Sequence, residues 1–98
     1  MPALTTKQIS LHLKAVRNWS KRAQIISRTC KFEGFLKAID FVNRVAKKAQ
    51  KINHHPDIDI RYNQVTLKLS THDEGGLTEK DFFLARQCDE IFVKFFKP

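Results

Sequence analysis

Residues 54 to 72 read HHPDIDIRYNQVTLKLSTH, and the fold turns on this stretch. Pro56 disfavours helical geometry at His55, so a helix arriving from upstream ends near His54. Ile58, Ile60 and Tyr62 then alternate with Asp59 and Arg61, while Val65, Leu67 and Leu69 alternate with Thr66, Lys68 and Ser70. Period-two alternation marks strands with one buried face. Asn63 and Gln64 supply a two-residue turn between the runs. The resulting antiparallel hairpin brings its far ends together and carries His72 toward His54 and His55.

Upstream, FLKAIDFVNRVAKKAQKIN (35–53) repeats apolar residues at three- and four-residue spacing: Phe35, Ala38, Ile39, Val42, Val45, Ala46, Ala49 and Ile52. This predicts a core-facing helix. Its other faces carry Lys37, Arg44, Lys47, Lys48 and Lys51, read first as a solvated basic surface and second as a surface for an acidic or nucleic-acid partner. Between Trp19 and Phe32, β-branched and aromatic residues alternate roughly, predicting a short strand, a turn near Lys21 to Ala23 and a second strand. A first helix is expected over residues 5 to 16, with Ile9, Leu13 and Val16 on one face and Thr5 or Thr6 as cap.

Downstream, THDEGG reads as a turn, and Gly75 and Gly76 allow it to be sharp. Thr78 can then cap a last helix with Asp81 at the capping-box position. That helix packs Leu84, Ala85, Cys88, Ile91, Phe92 and Phe95; Phe82, Phe83 and Phe96 lie beside the stripe, as interface residues or as further core. The expected architecture is therefore α+β in the order α-β-β-α-β-β-α, a four-stranded antiparallel sheet with helices covering one face. One domain is expected across residues 1–98.

The chain carries a formal net charge of +8, which attracts acidic partners without identifying one. No apolar run approaches the roughly 18 residues that span a bilayer, and the first residues lack a secretory apolar block, so a cytoplasmic protein is expected. Cys30 and Cys88 lack metal-site or disulfide-framework spacing and read as packing thiols.

Three histidines thus converge at one end of the sheet, while His12 on the first helix reads as a boundary residue outside any site. Imidazole titrates near neutral pH, which suits it to proton transfer. Metal binding and purely structural hydrogen bonding are the alternatives; adjacent histidines without an HxH or HxxxH pair make an awkward metal cage. Gln50, four residues before His54, shares its helix flank and either faces the same site or is a solvated helix residue, and Asp81 orients a histidine, binds a polar ligand edge or only caps its helix. No GxSxG, GxGxxG or GxxxxGK motif is present, leaving nucleophilic hydrolysis and nucleotide transfer unsupported.

HHP at 54–56, Tyr62, LSTHDEGGLTEKD at 69–81 and Leu84 with Ala85 together resemble the pterin-4a-carbinolamine dehydratases. Trp19, KFEGFLKA at 31–38, Phe41 and Val45 with Ala46 extend the likeness, which runs from about residue 19 to 91. The resemblance implies dehydration of 4a-hydroxytetrahydropterin to quinonoid dihydropterin, in recycling of the tetrahydropterin, with no metal or redox cofactor. It implies His54, His55 and His72 as site histidines, the first and last for proton transfer and His55 for ligand orientation, with Asp81 in support. A homodimer or homotetramer is expected. Relatives that serve as dimerisation cofactors of a transcription factor, or as assembly factors, supply the alternative reading, a binding protein on the same scaffold. Gln50 departs from the acidic residue usual in the family, and Cys30 and Ile58 replace common aromatics.

Overall fold

The computed structural model describes residues 2–97. In chain order the elements are α1 (Thr6–Leu13), β1 (Ser20–Arg22), β2 (Ile25–Lys31), α2 (Phe35–Ile52), β3 (Asp57–Arg61), β4 (Gln64–Leu69) and α3 (Glu79–Phe95), with a 3-10 turn at His72–Glu74. This is the expected order. The strands form one sheet, β1-β2-β4-β3, in which every neighbouring pair is antiparallel. In the second hairpin, which follows α2, β3 takes the edge and β4 returns to the middle beside β2.

Strand β4 shows the burial logic most plainly. Val65, Leu67 and Leu69 are buried under the helices, while Gln64 and Lys68 point to the exposed face. Opposite them on β2, Cys30 pairs with Val65, Arg28 with Leu67 and Ile26 with Leu69. Arg28 is accommodated on this inner face by an ion pair with Asp89 of α3 at 2.5 Å and by the Phe92 ring 4.9 Å away. The Trp19 indole also donates to Asp89, at 2.8 Å, so one carboxylate ties the start of the sheet to the last helix. Burial pushes the thiol of Cys30 up to about 11 and that of Cys88 up to about 12, which fits packing thiols.

On the edge strand β3 only Ile58 is half-buried, while Ile60 and the following Tyr62 are exposed rather than on a buried face, and four further expectations shift. Helix α1 is shorter than predicted: Thr5 caps it in a reciprocal box with Gln8, but after Leu13 the backbone tightens into bonds from Ala15 to His12 and Val16 to Leu13, which still bury Val16. The first hairpin turns at residues 23–24, with Ala23 at φ 52°, one step later than expected. The second turns at residues 62–63 rather than at Asn63 and Gln64, pairing Arg61 with Gln64. Asn63 sets this register: its side-chain amide donates to the Phe32 carbonyl at 3.1 Å and its carbonyl accepts the Phe32 N–H at 2.8 Å. Tyr62 consequently takes the left-handed φ of 52°.

The fourth shift concerns the α2 stripe, which centres on Ala38, Phe41, Val45 and Ala49. Phe35 is 47% exposed and Ala46 is also exposed, because both lie at the margin of that face. Phe41 instead meets Phe32, Phe92 and Phe96, at centroid separations of 5.0, 6.1 and 5.8 Å. On α3, Phe82 is fully buried and Phe96 joins this aromatic cluster, whereas Phe83 and Phe95 remain partly exposed. Of the three phenylalanines beside the stripe, only Phe83 thus stays outside the core.

Candidate active site

Three chain segments end at one corner of the fold. Helix α2 stops at Ile52 because Asn53 adopts the left-handed conformation, φ 54°, its N–H bonding back to the Ala49 and Gln50 carbonyls. Asparagine tolerates this geometry better than most residues. The His54 N–H also returns to the Ala49 carbonyl, at 3.1 Å, after which Pro56 starts the chain toward β3. From the other side, β4 runs out through Ser70 and Thr71 into the 3-10 turn that holds His72, closed by Gly75 at φ 78°. Thr78 then caps α3.

Asp81 lies at the centre of this corner, fully buried. Its Oδ1 is 2.6 Å from His54 Nε2, and its Oδ2 accepts the Thr71 hydroxyl at 2.7 Å and the Thr78 N–H at 2.9 Å. Since the carboxylate acts as acceptor to every partner, His54 Nε2 donates and Nδ1 is left as the free ring nitrogen. The Thr71 proton is committed to Asp81, so the Thr78 hydroxyl, 3.0 Å away, donates to Thr71. Thr78 Oγ1 in turn accepts the Lys80 N–H at 3.3 Å. No buried side-chain polar atom among the described residues lacks a partner. Asp81 therefore both caps α3 and fixes the orientation of His54, whose side chain is 11% exposed.

His55 is more exposed and is held differently. Its Nε2 lies 2.9 Å from Gln50 Oε1, an atom that only accepts, so His55 likewise presents Nδ1. His55 and His72 line one cleft of about 60 Å³ together with Asp57, Lys68 and Ser70. That volume is far below the roughly 300 to 1,000 Å³ of an enclosing ligand cavity, so the cleft has room for no more than the edge of a larger molecule. His72 is exposed, and its ring makes no hydrogen bond among the described residues. The hairpin thus brings His55 and His72 to one cleft as expected, while His54, Gln50 and Asp81 stand outside its lining.

Sequence reasoning missed Thr71, Asp57 and Lys68. Asp57 and Lys68 are register partners across β3 and β4, and only the turn at residues 62–63 pairs them. Thr71 gave no local signal, since its role depends on a carboxylate ten residues downstream. His12 stays outside this corner, half-buried and stacked on Phe82 at 4.9 Å. Among the described residues no three His, Cys, Asp or Glu side chains converge as a metal cage.

Comparison with known proteins gives a consistent result. A protein of Picosynechococcus sp. strain PCC 7002, provisionally named pterin-4-alpha-carbinolamine dehydratase, is 49% identical over 90% of this chain and 96% of its own. A likewise named protein of Chloroflexus aurantiacus strain J-10-fl is 52% identical over 93% and 98%. The crystal structure of a transcriptional coactivator/pterin dehydratase from Brucella melitensis superimposes with a TM-score of 0.87 at 36% identity, covering 91% of this chain and 97% of that one. A pterin dehydratase-like RuBisCO assembly factor of the alpha-carboxysome shares the fold alone, at TM-score 0.63 and 16% identity over 74% and 84%. The profile of the family described as pterin 4 alpha carbinolamine dehydratase matches residues 2–91, and the chain belongs to that family.

Proposed function

We propose that the protein dehydrates 4a-hydroxytetrahydropterin to quinonoid dihydropterin by histidine acid-base catalysis, as part of tetrahydropterin recycling. The observation that carries this reading is the 2.6 Å bond from His54 to buried Asp81 beside a cleft lined by His55 and His72. In the reaction the C4a–O bond breaks, the hydroxyl leaves as water after gaining a proton, and loss of the N5 proton allows the N5=C4a double bond to form. Two imidazoles suffice for these two transfers, and each such group typically contributes about 10² to 10⁴-fold. His54 and His72 take the proton-transfer roles, and His55, anchored by Gln50, orients the pterin edge. Asp81 acts as a positioning residue through His54.

The test is direct. Dehydration of the 4a-hydroxypterin should proceed much faster with the protein than in buffer and fall about 10² to 10⁴-fold in His54→Ala and in His72→Ala. Wild-type protein no faster than buffer would reject the enzyme reading.

A cytoplasmic location and a homodimeric or homotetrameric assembly belong to the same proposal. Among the described residues no helix is long and apolar enough to cross a membrane. A second reading, a dimerisation, assembly or regulatory cofactor, draws on the groove between α2 and α3. There Arg44 lies 3.8 Å over the Phe95 ring beside Lys47, Lys48 and Lys94. Lys51, expected on the same basic surface, does not line it. This reading requires a salt-sensitive complex that is lost when Arg44, Lys47 and Lys48 are neutralised and is indifferent to the histidines.

A further inference from the structure

A second cavity lies between α1, the last turn of α2 and the first turns of α3. It is an open pocket of about 380 Å³ lined by His12, Ile52, Glu79, Lys80, Phe83 and Arg86. None of these lines the cleft shared by His55 and His72. Its volume falls at the lower end of the range for small-molecule sites, which suits a single-ring ligand.

One side of the cavity is apolar and aromatic. The His12 imidazole stacks on buried Phe82 with an interplanar angle of 17°, and Phe83 leaves 40% of its surface exposed beside Ile52. Such a wall favours a flat ring over a fully solvated polar group. The remaining lining is mainly cationic. Lys80 and Arg86 contribute positive charge against the single carboxylate of Glu79, and among the described residues neither cation is engaged in an ion pair. A guanidinium presents paired N–H groups that match both oxygens of a carboxylate.

We propose that this cavity binds a small aromatic carboxylate, with its ring against Phe83 and Ile52 and its carboxylate between Arg86 and Lys80. The placement gives such a ligand a regulatory position. Ile52 lies two residues before His54, and Lys80 directly precedes Asp81, so an occupant touches both segments that hold the His54–Asp81 bond. The proposal goes beyond the reaction assigned above and does not depend on it.

The experiment is a titration of the full ¹⁵N-labelled chain with benzoate, with benzamide as the neutral isostere and Arg86→Gln and Phe83→Ala as variants. Saturable shifts of the Ile52, Phe83 and Arg86 amides are expected, with a Kd on the order of millimolar for so small a ligand. Benzamide should bind at least fivefold more weakly than benzoate, as should benzoate to either variant, each first shown by its amide spectrum to be folded. The proposal is overturned by absence of saturation, by shifts confined to His55 and His72, by equal binding of benzoate and benzamide, or by undiminished binding to Arg86→Gln.

Discussion

The Thr71 hydroxyl is a small group on which much depends. It holds one oxygen of Asp81 while the other oxygen holds His54, so its removal loosens the imidazole without touching a ligand. Thr71→Val keeps the shape and deletes two hydrogen bonds, the one given to Asp81 and the one accepted from Thr78; loss of the first, about 1 kcal/mol or somewhat more in holding His54, corresponds to roughly tenfold in rate. Steady-state kinetics should show that loss in kcat with KM unchanged, and Thr71→Ser should restore it; a change in KM alone would contradict the positioning role. Gln50 invites the complementary experiment. Gln50→Leu removes the acceptor that holds His55 Nε2, so KM for the pterin should rise roughly tenfold with kcat little changed. An unchanged KM would show that the anchored His55 does not orient the substrate. At this scale the histidines and Asp81 were legible because their residue types announce proton chemistry, whereas Thr71 was not, because a threonine at a strand end commonly serves only the backbone.

At the scale of elements, periodicity revealed which segments are helix and strand but not the details fixed by contacts distant in sequence. The hairpin of β3 and β4 was legible from alternation, yet its turn is set by Asn63 bonding to Phe32, thirty-one residues away. The stripe of α2 was legible, but its centre at Phe41 depends on rings contributed by β2's end and by α3. The junction between sheet and α3 yields its own prediction. Cys30 of β2 and Cys88 of α3 are held protonated by burial, at about 11 and about 12 against an ordinary value of 9.0. Below pH 9 both folded and unfolded chains keep the protons, so this contribution is fully present. As pH rises from 9 toward 11 and 12 the unfolded chain loses them first, and stability falls by up to about 1.4 kcal/mol per pH unit per thiol. Urea unfolding between pH 8 and 11 should reveal the decline, and Cys30→Ala should flatten it; an identical slope in that variant would refute the assignment.

The whole molecule rests on the aromatic cluster between sheet and helices. Phe41→Ala removes its central ring and should cost about 3 to 5 kcal/mol, measured by chemical denaturation. For a chain of 98 residues that loss is a large part of total stability. We expect the described elements to unfold in one transition, since the Trp19–Asp89–Arg28 network ties the start of the sheet to α3. Coincident fluorescence and circular dichroism curves would support this, and separate midpoints would oppose it. The candidate site draws on the end of α2, the end of β4 and the start of α3, so no local segment contains it. Its Asp81 carboxylate also accepts the Thr78 N–H, and this bond makes one backbone proton a gauge of the site. Hydrogen–deuterium exchange at the Thr78 amide therefore reads, without substrate, how much of the time the carboxylate that orients His54 is in place.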